Sequence, residues 1–146
     1  MKHSKVSILI SLLLTISASG QQYTGKHVDI TLLNAGTSTW PVKLTKGWFE
    51  GDTIYVITFR DARHNTTGKT GSQGFYKFEL KEFGHALNTT LTIDSTQEVR
   101  FGNGTMNVGK GTFGIRYIEC TFSYRTGTFR ARDADVKKLI YVINKQ

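Results

Sequence analysis

Between two strongly apolar runs lies DARHNTTGKTGSQG, residues 61 to 74, where side chains able to do chemistry crowd together. Arg63, His64 and Lys69 stand there among small polar residues. The stretch lacks an apolar rhythm and reads as a long loop, and long loops inside compact domains commonly bind or cover something. Arginine and lysine would meet an anion, and histidine adds a donor whose charge changes near neutral pH. Arg125, Arg130, Arg132, Lys137 and Lys138, interrupted by Asp133 and Asp135, form a second basic cluster. Trp48 and Phe49 precede Glu50-Gly51-Asp52, so their rings fall on opposite faces of a strand end. With Phe49 inward, Trp48 is left to stack on a sugar or another flat ligand. The expected ligand-binding set is therefore Trp48, Arg63, His64, Lys69, Arg125, Arg130 and Arg132.

Catalytic signals are weaker. Residues 109 to 114, GKGTFG, match G-x-G-x-x-G, but IRYIECTF follows and reads as strand where a dinucleotide site needs a helix. Gly68-Lys69-Thr70 resembles the end of a phosphate loop, yet Arg63 holds the place of its first glycine. His27, His64 and His85 are not at metal-ligand spacing, so neither metal nor cofactor is expected. Cys120 lies in the alternating segment IECTFSY and reads as a core thiol. A small hydrolase, nuclease-like, could draw on His64, His85, Glu98 and Arg100, and is the rival to a non-enzymatic binding module. A periplasmic adaptor or inhibitor that docks on another protein is the third reading.

The compartment is read from the N-terminus. Lys2 and Lys5 precede an apolar run from Val6 to Ile16, and Ala18-Ser19-Gly20 supplies small residues, the pattern of a secretory signal peptide cleaved near Gly20/Gln21. At about 1.5 Å per residue that run is too short to span about 30 Å of hydrocarbon. The expectation is a secreted or periplasmic protein with residues 1–20 as signal, residues 21–146 as one β-rich domain, and no transmembrane span. A single cysteine rules out an intramolecular disulfide. The chain carries a net charge of +8, and without Lys2 and Lys5 it keeps +6. Outside the cytoplasm such a surface attracts polyanions. The expected partners are a polyanion, a glycan or a small apolar ligand, with no sequence-specific nucleic-acid readout. Asn65, Asn88 and Asn103 head N-x-T sequons.

The elements that must position these residues read mostly as strands. Apolar and polar residues alternate over 28–32, 40–45, 75–83 and 113–124, while TIYVITF at 53–59 is apolar or aromatic almost throughout. LTI at 91–93 and VRF at 99–101 are shorter strands. Hairpins are signalled at 50–52, 102–104, 109–111 and 125–127. In the last segment Val136, Leu139, Ile140 and Ile143 fit a helical stripe capped by Asp133 or Asp135, but a β-rich closing strand over 136–143 is favoured. No internal repeat is visible. The predicted fold is all-β: one antiparallel β-barrel or β-sandwich of about eight short strands, with a short C-terminal helix as the alternative ending. In layout it is broadly similar to small exported bacterial β-barrels and lipocalin-like domains. That likeness covers architecture and carries no site residue.

Overall fold

A computed structural model describes residues 30–64, 67–94, 97–123 and 126–146. The signal segment 1–20 with its cleavage site, His27, Asn65 and Arg125 lie outside the described residues. The order of elements is β1 (Ile30–Gly36), β2 (Pro41–Phe49), β3 (Asp52–Arg60), β4 (Thr70–Phe75), α1 (Lys77–Thr90), β5 (Glu98–Phe101), β6 (Gly104–Lys110), β7 (Arg116–Phe122), β8 (Thr128–Arg132) and α2 (Asp133–Asn144). The strands form two antiparallel sheets, β1-β2-β3-β4 and β5-β6-β7-β8, each in chain order. The chain thus runs twice through four strands and a helix, a repeat of arrangement that the sequence does not display. Neither sheet closes into a barrel among the described residues.

The hairpins sit where the turn residues place them. Phe49 pairs with Asp52 across the two-residue turn Glu50-Gly51, both at positive φ (50° and 91°), the mirror-image turn whose twist suits a hairpin. Phe101 pairs with Gly104 across Gly102-Asn103. Val42, Leu44, Tyr55, Ile57 and Phe59 are buried on one face of β2 and β3, and the alternation breaks in the second half of β2, where Thr45 and Gly47 of the other face are buried too. In β1 the register shifts between Thr31 and Leu33, which brings Leu33 opposite Leu44 and leaves Ile30 exposed.

Both sheets turn their apolar faces to one core. Phe59 lies 5.7 Å from Phe122 and 5.8 Å from Phe129, and Phe75 and Phe83 stack at 5.0 Å and both reach Phe122. Each such ring fully removed from water contributes about 1.5–3 kcal/mol. Leu80, Phe83, Ala86 and Leu87 of α1 and Val136, Leu139 and Ile143 of α2 complete the core. Gly84 lets the two helices meet, since a Cβ there would come 2.9 Å from Ile143.

Four expectations are corrected. Residues 77–90 form a helix, not the strand expected over 75–83. The alternation of Tyr76, Phe78 and Leu80 competed with a helical spacing of Leu80, Phe83 and Leu87, and only the second set is buried; Tyr76 and Phe78 are 47% and 71% exposed. Glu79 fixes the helix start by accepting the Tyr76 backbone N–H at 2.8 Å. The closing strand over 136–143 is helix α2, on the Val136, Leu139, Ile143 stripe, with Asp133 and Asp135 in its first turn. The 61–74 loop is shorter: its second half is β4, hidden from a hydrophobicity reading because Gly71 and Gln73 take core-facing places beside Phe75. Gly71 lies beneath the Phe59 ring, and Gln73 accepts a hydrogen bond from Thr126 at 3.1 Å. Leu91–Ile93 is not a strand; it prolongs the end of α1, with Leu91 N–H bonded to Asn88 O at 3.2 Å.

Candidate functional site

The structure spreads the expected binding residues over several places. Arg63 and His64 fall in a single 3-10 turn at 62–64, after β3. Arg63 is committed to Asp61, with its Nε at 3.1 Å from Oδ1 and Nη2 at 2.9 Å from Oδ2. His64 stands 4.0 Å from the same carboxylate, and its side chain is 45% exposed. Asp61 is itself buried and also accepts the Thr128 N–H at 3.0 Å. Burial alone would raise its pKa. Hydrogen bonds from the Arg63 side chain and from the Thr128 and Arg63 N–H groups, together with the Arg63 charge, outweigh burial and hold it below its ordinary value. Lys69 is exposed just before β4, its carbonyl accepting the Asp61 N–H at 2.8 Å.

Asp61 and Gln73 tie the 61–64 turn and β4 to Thr128 and Thr126 beside β8, but the Arg130 side chain is turned to other partners. Arg130 is bound to Glu119 at 2.5 Å and lies over the rings of Tyr117 and Trp40, 5.1 and 5.8 Å from their centroids. Arg132 is exposed at the start of α2. Trp48 is 38% exposed at the β2–β3 end of the first sheet, in the row of residues that includes Val42 and Leu44. The residues proposed for hydrolysis do not converge: His64 is beside Asp61, His85 lines a groove between the helices, and Glu98 pairs with Arg100 at 2.9 Å. Among the described residues no three His, Cys, Asp or Glu side chains gather as a metal site would need. Cys120 is fully buried, and burial pushes its thiol well above the ordinary range, away from the reactive thiolate.

The strand register reveals a surface that the sequence reading missed. On the outer face of the first sheet, Asn34, Lys43, Thr58 and Ser72 form one row across all four strands. Thr31, Thr45, Val56 and Gly74 form the next, and Arg60 pairs with Thr70 on the other side. Lys43 and Arg60 are thus diagonal neighbours, about 7–8 Å apart at their backbones. Asp52, at the hairpin end, is the one carboxylate in β1 to β4. Neither Lys43 nor Arg60 has an ion-pair partner among the described residues. In the second sheet Arg100, Arg116 and Arg130 are answered by carboxylates, while Lys110 and Arg132 have no ion-pair partner among the described residues. On this face Asn34, Lys43 and Thr70 are exposed and Thr58 and Arg60 half-buried, whereas Thr45 and Ser72 are buried. Its signal lay in every second residue, Lys43-Thr45, Thr58-Arg60 and Thr70-Ser72, and became readable only once β4 was recognised as a strand.

A groove of about 390 Å³ opens between α1 and α2, lined by Lys81, His85, Asn88 and Asn144 over Gly84, Ile140 and Ile143. No known protein family matches the chain, and no curated protein matches it significantly.

Proposed function

We propose that the protein is a non-enzymatic binding module that holds an anionic ligand, a polyanion or an acidic glycan, on the outer face of its first sheet. The observation that carries this reading is the pair of cations without an ion-pair partner among the described residues, Lys43 and Arg60, set beside Asn34, Thr58 and Thr70 with no carboxylate between them. Guanidinium and ammonium groups supply charge-assisted hydrogen bonds, and the hydroxyls and the Asn34 amide add neutral ones. Lys69, exposed at the rim beside Arg60-Thr70, extends the cationic surface. The two sheets serve as a sandwich-like frame whose interior is filled by phenylalanine rings, which favours surface binding over carriage of an apolar ligand inside. Export to the periplasm or medium, as the N-terminal pattern predicts, would bring this face to acidic polysaccharides and other polyanions.

The test compares Lys43→Glu/Arg60→Glu with the parent and with Arg130→Glu. Affinity for a sulfated polysaccharide and for a single-stranded oligonucleotide is followed by fluorescence anisotropy over a salt series. The double variant is expected to bind at least tenfold more weakly, with a flatter salt dependence and an unfolding midpoint within a few degrees of the parent. Equal loss in all variants, or none in the double variant, sinks the assignment to this face.

A second reading rests on the helix groove. Its cationic and amide walls over an aliphatic floor suit a small amphipathic anion. In a titration with a medium-chain carboxylate, shifts confined to the Asn88 and Asn144 side-chain amides would favour it.

A further inference from the structure

The hairpin between β6 and β7 carries a feature that the binding face does not use. Phe113, at its tip, is 96% exposed, and Ile115 is 44% exposed. Phe113 also holds φ 62° and ψ 21°, a left-handed conformation that bulky residues rarely adopt. The turn cannot easily relax to bury the ring. Gly111 N–H bonds to Ile115 O at 2.8 Å, and Gly114 N–H bonds to Gly111 O at 3.1 Å. A nearly naked aromatic ring and a strained backbone at the same residue are two costs with no return inside the folded chain, and such strain marks sites that act on something else.

The surroundings indicate what that is. Residues 99–118 contain Arg100, Lys110 and Arg116 and no carboxylate. Lys110 closes β6 at the base of the tip, and exposed Arg132 sits one strand over, paired with Tyr117. Arg116 is neutralised by Asp133, so Lys110 and Arg132 are the cations left to act outward. A narrow convex tip of two apolar side chains, with cations set behind it, matches the layering of a bilayer surface: acyl chains beneath, anionic headgroups above. We propose that the β6–β7 hairpin is a membrane-surface anchor that inserts Phe113 and Ile115 into anionic lipid, while Lys110 and Arg132 meet the headgroups. One ring and one aliphatic side chain give only weak, reversible attachment, so both the apolar and the electrostatic part are needed.

The experiment is co-sedimentation of the full chain with vesicles of 70% phosphatidylcholine and 30% phosphatidylglycerol, against pure phosphatidylcholine. The informative variant is Phe113→Asn, because asparagine tolerates the left-handed conformation. Its unfolding midpoint should equal or exceed the parent's, while its binding to anionic vesicles falls about 10- to 100-fold, the partition lost with one ring. Lys110→Glu/Arg132→Glu should reduce binding to the level seen on pure phosphatidylcholine. Lys43→Glu/Arg60→Glu should keep the dependence on Phe113, which separates this anchor from the polyanion face. A parent chain that ignores anionic vesicles overturns the proposal, as does a Phe113→Asn variant that binds them as the parent does.

Discussion

Asp61 ties together two chain segments 67 residues apart by accepting the Thr128 N–H while gripping Arg63. Its pKa is lowered on folding, so the sign of its contribution is fixed. The stabilisation is fully present above the ordinary carboxylate range and is lost as pH falls through the lowered folded value. Asp61→Asn should cost about 2–3 kcal/mol at pH 7, the scale for disrupting a buried hydrogen-bonded charge whose arginine partner is half in water. The gap between variant and parent should narrow toward pH 2. Denaturant unfolding at a series of pH values checks this, and a gap of constant size would show that Asp61 acts through packing and not through its charge. The chemistry-bearing residues were visible in the sequence at this scale, but their partners were not. Arg63 and Arg130 read as free cations because nothing local shows Asp61 folding back on the first or Glu119 facing the second across a strand pair.

Arg116 does similar work between elements. From the start of β7 it donates to the Thr90 carbonyl and to Ile93 O (3.0 Å) at the end of α1, and it reaches Asp133 at the start of α2, 2.5 Å away. Helix α1 has no basic residue in its own last turn, so this guanidinium supplies from outside the positive charge that a helix C-terminus favours. Arg116→Met should destabilise the fold by about 2 kcal/mol and speed amide exchange over residues 89–93 more than in β2 or β3. Uniform acceleration would mean that the side chain stabilises the molecule as a whole and does not clamp the helix end. Strands whose core positions are aromatic or β-branched, such as β2, β3 and β7, were legible from alternation. The two helices were harder, because each apolar stripe also satisfies a period of two over a short window. Strand β4 was illegible for the opposite reason, since its inward places need room for the Phe59 ring and hold glycine and glutamine.

At the scale of the whole chain, the two runs of four strands and a helix are not independent. Phe59 and Phe75 of the first half pack on Phe122 and Phe129 of the second, Phe83 of α1 packs on Phe101 of β5, and α1 lies against α2. Either half alone would expose most of these rings. Expressed separately, residues 21–94 and 97–146 should therefore each fail to give cooperative unfolding, whereas the whole chain should melt in one transition. A separately stable half, seen by calorimetry, would break this account. By itself the sequence determined the abundance of strands, the turns at Glu50-Gly51 and Gly102-Asn103, the inward place of Cys120 and the basic charge, because each follows from local periodicity, turn chemistry or composition. The tertiary structure alone decided that the strands split into two sheets, that a helix follows each, and which cations are spent. Those outcomes depend on side chains far apart in the chain that compete for the same core places and the same carboxylates. Among the described residues Lys43 and Arg60 are left without an ion pair, while Glu98, Glu119 and Asp133 are engaged by Arg100, Arg130 and Arg116.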